Sequence, residues 1–177
     1  MGLTPNDENE MQWEKEYGLG DKYPAYRISY KDVETFIAKL NEYTGLHFAL
    51  PTEAQWEYAA KGGANTNYEL YAGDGNVLEV AWIERNSDKS SEVGMKKPNG
   101  LGLYDMSGNV WEMTQDWYYD YSEEAVTDPI GEAYNEGYKV FRGGSWYTND
   151  QSARVTARSK QGIHYRDFST GFRLVIE

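Results

Sequence analysis

The sequence predicts a single α+β domain: two helices near the N-terminus, set on a small twisted antiparallel sheet, with most remaining residues in long ordered loops. Three observations lead there. The length, 177 residues, suits one domain. Apolar residues at helical spacing occur before Gly63 and in no convincing run after it. Beyond Gly63, Gly, Asn, Asp and Ser recur every few residues between short aromatic or β-branched runs.

Residues 1–25 are polar and broken by Pro5, Gly18, Gly20 and Pro24, so they read as an irregular arm. Trp13 and Tyr17, four apart, are placed to pin one helical turn of it. The domain proper then runs over 26–177. Its first helix spans Ser29 to Tyr43. Ser29 is an N-cap with Asp32 three residues on, Val33, Phe36, Ile37 and Leu40 form one apolar face, and Gly45 is the stop. Thr52 and Gln55 open a second helix as a capping box, Trp56, Ala59 and Ala60 fill its inner side, and Gly62-Gly63 ends it. Val140–Arg142 and Phe172–Ile176 read as strands. Loops of the length left over are uncommon unless functional and need internal anchors, which six Trp and sixteen Tyr supply.

Composition excludes several function classes. Hydrophobic residues at 40% exclude global disorder. No apolar run approaches the ~18–20 residues that cross a bilayer, and Met1-Gly2-Leu3-Thr4 opens no secretory signal, so a soluble chain without membrane insertion is expected. A net charge of −12 argues against nucleic acid as a partner. Cysteine is absent, which removes disulfides, thiolate metal sites and cysteine nucleophiles. The two histidines, His47 and His164, cannot build a three-histidine iron site. The compartment and the oligomeric state stay open.

Four segments share one pattern: Leu50-Pro-Thr-Glu-Ala-Gln-Trp-Glu-Tyr-Ala-Ala60, Pro98-Asn-Gly-Leu-Gly-Leu-Tyr-Asp-Met-Ser-Gly-Asn-Val-Trp-Glu112, Phe141-Arg-Gly-Gly-Ser-Trp146 and Gly171-Phe-Arg-Leu174. In this order and spacing they resemble the formylglycine-generating enzyme (sulfatase-modifying factor) family. The resemblance runs from Tyr26 to the C-terminus and implies a C-type-lectin-like fold. Catalytic members oxidise a substrate cysteine with a copper-binding cysteine pair just after the Gly-Gly-Ser motif. Here Tyr147 and Ser152 lie near those positions, so the resemblance implies neither copper nor that oxidation. A sulfoxide-forming branch uses iron held by three histidines, which this chain lacks. Other relatives are variable products of diversity-generating retroelements, whose C-terminal segment presents varied side chains to partners. The corresponding segment is Arg142–Leu174, with Trp146, Tyr147, Asn149, Asp150, Gln151, His164, Tyr165 and Arg166 as candidate ligand contacts.

The expectation is therefore a non-catalytic protein that binds a protein or glycan ligand. Two alternatives remain: a family enzyme or maturation factor with other chemistry, and a structural module of a surface or phage assembly. By position in the family, a structural calcium ion would be held by the side chains of Asp105 and Glu112 and the carbonyls of Gly108 and Val110; the competing reading is a metal-free turn. Trp111 reads as core packing. Glu53 and Glu57, one turn apart, read as charges favouring a helix N-terminus rather than as an acid–base pair. Gly143-Gly144 reads as a close backbone approach.

Overall fold

The computed structural model describes residues 15–64, 69–121, 124–131 and 137–177. Trp13, the partner expected for Tyr17, lies outside them.

A 3₁₀ turn at Lys15–Tyr17 precedes α1 (Tyr30–Thr44). Its capping box is complete: Ser29 Oγ accepts from Asp32 N–H at 3.2 Å and Asp32 Oδ2 accepts from Ser29 N–H at 2.7 Å. Gly45, at φ 70°, takes the left-handed cap and donates to Asn41 O. β1 (Phe48–Ala49) leads into α2 (Glu53–Ala60), capped reciprocally by Thr52 and Gln55. α3 (Val77–Val80) is a single turn on an Asn76 cap. The strands β2 (Trp111–Trp117), β3 (Tyr138–Arg142), β4 (Arg158–Gly162), β5 (Thr170–Gly171) and β6 (Val175–Ile176) follow.

The main sheet has the order β4-β3-β2-β5, antiparallel except for the parallel β2–β5 pair, while β1 and β6 form a separate antiparallel ribbon. The expected sheet is thus present with one parallel edge. Of the expected strand 172–176, only Val175–Ile176 pairs, because Phe172 packs on the core and Arg173 turns to Glu112.

Successive residues of β3 serve opposite faces. Phe141 joins Val33, Ile28, Leu50 and Met113 beneath α1. Arg142 points the other way, beneath Trp56 of α2. A second cluster, Trp56, Ala60, Ala72, Met106 and Val155, fills that side. A third, Tyr71, Val77, Val80, Ala81, Ile83 and Ala153, packs the long loops. Among the described residues no helix is long and apolar enough to cross a membrane.

Candidate ligand-binding surface

The chain leaves β3 through Gly143 and Gly144, both at positive φ. Gly144 lies against the backbone of the next turn: a Cβ there would sit 2.8 Å from Ser152 O. The close approach read from the sequence is present. It folds 145–157 into tight turns. Ser145 N–H donates to Thr148 Oγ1 at 2.9 Å, Thr148 N–H to Ser145 O at 3.0 Å, and Ser152 N–H to Asn149 O at 3.1 Å.

Arg142 braces this loop from below. Its side chain is wholly buried and donates to the carbonyls of Val155 at 2.8 Å and Ala157 at 2.7 Å. Its charge is met by Glu57 and, at 3.4 Å, by Glu53. Glu53 is itself clasped by Arg158, Nε to Oε1 at 2.7 Å and Nη2 to Oε2 at 2.8 Å. Tyr121 donates to Glu53 Oε1 at 3.0 Å, and burial, then that carboxylate, push its hydroxyl up to about 12. The Glu53/Glu57 pair therefore anchors α2 to β3 and β4 through two arginines, which the sequence reading did not foresee.

Trp146 does not join the exposed set. Only 5% of it is accessible, because its ring is enclosed by Tyr17, Tyr147 and Phe168 at 6.2, 5.3 and 5.6 Å. It is the floor on which Tyr147, 61% exposed, stands. Asn149 and Gln151 are exposed beside it, and Asp150 pairs with Arg85 at 3.1 Å.

The second candidate stretch meets the first through Phe168, whose ring lies 5.2 Å from Tyr147 and stacks on Tyr17 at 5.0 Å. His164 and Tyr165 are exposed. Arg166 is tied to Asp32 at the α1 cap, Nε to Oδ2 at 3.0 Å, so its guanidinium serves the fold. Burial opposes the Asp32 charge, but the Ser29 hydroxyl and N–H and then Arg166 outweigh it and hold the carboxyl below its ordinary range. His47 is exposed and its carbonyl accepts from Glu177 N–H.

The 105–112 turn lies apart. Asp105 Oδ2 accepts from Gly94 N–H at 2.8 Å, while Oδ1 is buried without a hydrogen-bond partner among the described residues. Burial and then the Glu112 charge push the Asp105 carboxyl above its ordinary range. Gly108, at φ 75°, passes so close to Trp82 that a Cβ would sit 2.3 Å from its carbonyl. The turn's N–H groups are used, Gly108 to Gly143 O and Asn109 to Trp82 O, and no hydrogen bond among the described residues runs to the Gly108 or Val110 carbonyl. Glu112 differs. Arg173 holds both its oxygens, at 2.5 and 2.6 Å, and Trp56 Nε1 adds a bond at 2.6 Å. Three of the four expected calcium ligands are thus uncommitted oxygens, the hard donors that ion takes; the fourth is already paired.

A cavity of about 390 Å³ opens beside this turn, lined by Asp105, Glu112, Arg173, Tyr104 and Phe172. Another of about 350 Å³ lies between α2 and the side chains of Tyr119, Tyr121 and Pro129. Tyr147 and Ser152 line neither. Trp111 packs against the α1-side core, as expected.

Comparison with known proteins matches this architecture. The chain is 33% identical over 169 residues to the formylglycine-generating enzyme of Streptomyces coelicolor, covering 85% of this chain and 52% of that enzyme. It is 32% identical over 146 residues to chaperone protein LppX of Paenibacillus barcinonensis, covering 72% and 49%. The chain thus spans about half the length of these curated relatives. Among solved structures, variable protein 1 of Treponema denticola superposes with a TM-score of 0.80 at 28% identity, covering 86% of this chain and 70% of that one. The model of the sulfatase-modifying factor enzyme 1-like domain matches residues 2–177, and the chain belongs to that family, with its C-type-lectin-like fold.

Proposed function

We propose that this domain is a non-catalytic binding module that presents Tyr147, Asn149, Asp150, Gln151, His164 and Tyr165 to a protein or glycan ligand. One observation carries the reading: exposed aromatic and short polar side chains stand on a backbone pinned from below by Arg142 and by the Trp146–Phe168–Tyr17 stack. Tyr offers contact area at low entropy cost, and short polar residues offer adaptable hydrogen bonds. Trp146 and Arg166 are the supports of the face rather than its contacts. The likeness to a variable protein supports the same reading. Without cysteine the chain offers no thiolate pair for copper.

The test is capture of protein and glycan arrays by the chain and by its Tyr147→Ala/Tyr165→Ala variant. Loss of capture with the cooperative melting transition retained supports the reading, and equal capture by both refutes it. A second reading, a factor that matures or chaperones a partner protein, is favoured by the similarity to LppX. It requires release of a folded or modified partner, which a pure binder does not produce.

Within the same proposal, calcium steadies the 105–112 turn. Asp105 Oδ1 and the carbonyls of Gly108 and Val110 hold the ion, while Glu112 stays paired to Arg173 beside it.

A further inference from the structure

Among the described residues, β4 is the outer strand of the main sheet and pairs on one side only, with β3. The pairing fixes which backbone groups face outward. Ile163 N–H donates to Gly137 O at 3.2 Å, so the hydrogen-bonded opposed pairs are 137/163, 139/161 and 141/159. Residues 158, 160 and 162 therefore turn their N–H and C=O groups away from β3. Tyr165 N–H takes the Gly162 carbonyl. The backbone groups of Arg158 and Lys160 have no partner among the described residues.

An open edge invites pairing with another chain, and a lysine directed out along it is a common guard. Lys160 does not guard this one. Its ammonium lies 4.7 Å from the Tyr118 ring and 5.2 Å from that of Tyr138. Both rings lie inward of β4, so the side chain leans back over the sheet.

Charge selects the occupant. The Arg142–Leu174 segment holds six basic and two acidic residues in a chain that is otherwise strongly acidic. Arg142, Arg158, Arg166 and Arg173 are engaged by carboxylates. Lys160 and the exposed Arg154 have no carboxylate partner among the described residues. A second copy of the chain is a poor occupant. Antiparallel self-pairing, centred on Lys160 or between it and Arg158, sets cation against cation, which destabilises a strand pair.

We infer that β4 accepts an extended acidic peptide segment of a partner protein as an added strand, with acidic side chains beside Lys160. Backbone bonds to Arg158 and Lys160 supply affinity, and the cation supplies selection. The site stands on its own observation and does not depend on the loop face around Tyr147.

The test is amide hydrogen exchange on the full chain with two end-blocked octapeptides, alternating Val-Glu and alternating Val-Lys. The acidic peptide at millimolar concentration slows exchange at the Arg158 and Lys160 amides roughly tenfold, and the basic peptide does not. Lys160→Pro removes an outward N–H that an edge strand can spare. It abolishes the effect while the Ser159 and Gln161 amides, which face β3, stay protected. If that variant loses the β3–β4 pairing, Lys160→Glu decides, by removing the slowing caused by the acidic peptide while the Ser159 and Gln161 amides stay protected. Tyr147→Ala leaves the peptide effect unchanged. The inference is overturned by an absence of slowing with the acidic peptide, by equal slowing with the basic one, by an effect that survives both Lys160 variants, or by concentration-dependent slowing without peptide, which would make the occupant a second copy.

Discussion

Trp146 and Tyr147 are neighbours in the chain with opposite tasks. Trp146→Ala removes a buried indole and should cost about 3–5 kcal/mol of stability. Tyr147→Ala removes a mostly exposed ring that touches only the edges of Trp146 and Phe168, and should cost about 1 kcal/mol in denaturant unfolding. Sequence patterning could not separate them, because both follow the same Gly-Gly-Ser turn and are aromatic; the ring stack from Tyr17 and Phe168, distant in sequence, makes the difference. Asp105 yields a second prediction at this scale. Calcium at a hundredfold excess over its dissociation constant stabilises by about 2.7 kcal/mol, a rise of roughly 5–10 °C in melting temperature for a domain this size. EDTA should reverse the rise and Asp105→Ala should abolish it; a calcium-independent melting temperature would remove the ion from the account. Lys139 provides a third. Its ammonium lies 4.0 Å from the Trp117 ring and 4.6 Å from that of Tyr30, and donates to Gln115 O at 2.6 Å. Burial, against the pull of Glu34 and Asp116, lowers it from 10.5 to about 8. The unfolded chain therefore binds more protons between pH 8 and 10.5, and the folded state gains stability as pH rises through that window. Stability of the wild type measured against Lys139→Met should climb there; a flat difference would contradict the assignment.

At the scale of elements, α1 and α2 were legible because each carries its own start signal. Ser29/Asp32 and Thr52/Gln55 close reciprocal boxes that depend on local spacing alone. β2 and β4 were not legible. β4 reads Arg-Ser-Lys-Gln-Gly, with no apolar alternation, and is a strand because β3 offers it an edge. The joint between α2 and the sheet was hidden for a similar reason. Glu53 and Glu57 look like charges favouring a helix start, and their arginines come from residues 142 and 158, far along the chain. Breaking a buried pair from one side strands the other charge, at about 3–5 kcal/mol. Arg158→Ala should therefore destabilise the fold strongly. Arg158→Ala/Glu53→Gln should recover part of the loss in a double-mutant cycle, and a purely additive result would show that the two side chains do not share the joint.

Across the whole molecule, the motifs that identified the family are the places where distant segments touch. Gly108 passes over Trp82, Gly144 over Ser152, and Glu112 receives both Trp56 and Arg173. They maintain a loop-rich body with modest regular structure, which is why fold and family could be read from sequence. What the surface does could not be read that way, since the fold places few demands on exposed side chains. The central claim is that a rigid base presents a permissive, partner-selecting face. The most direct measurement is to display a library randomised at Tyr147, Asn149, Asp150, Gln151, His164 and Tyr165, select it against the partner captured by the wild-type chain, and sort it in parallel for folding. The account predicts that most library members fold while few retain the partner. Widespread loss of folding, or partner binding indifferent to all six positions, would contradict it.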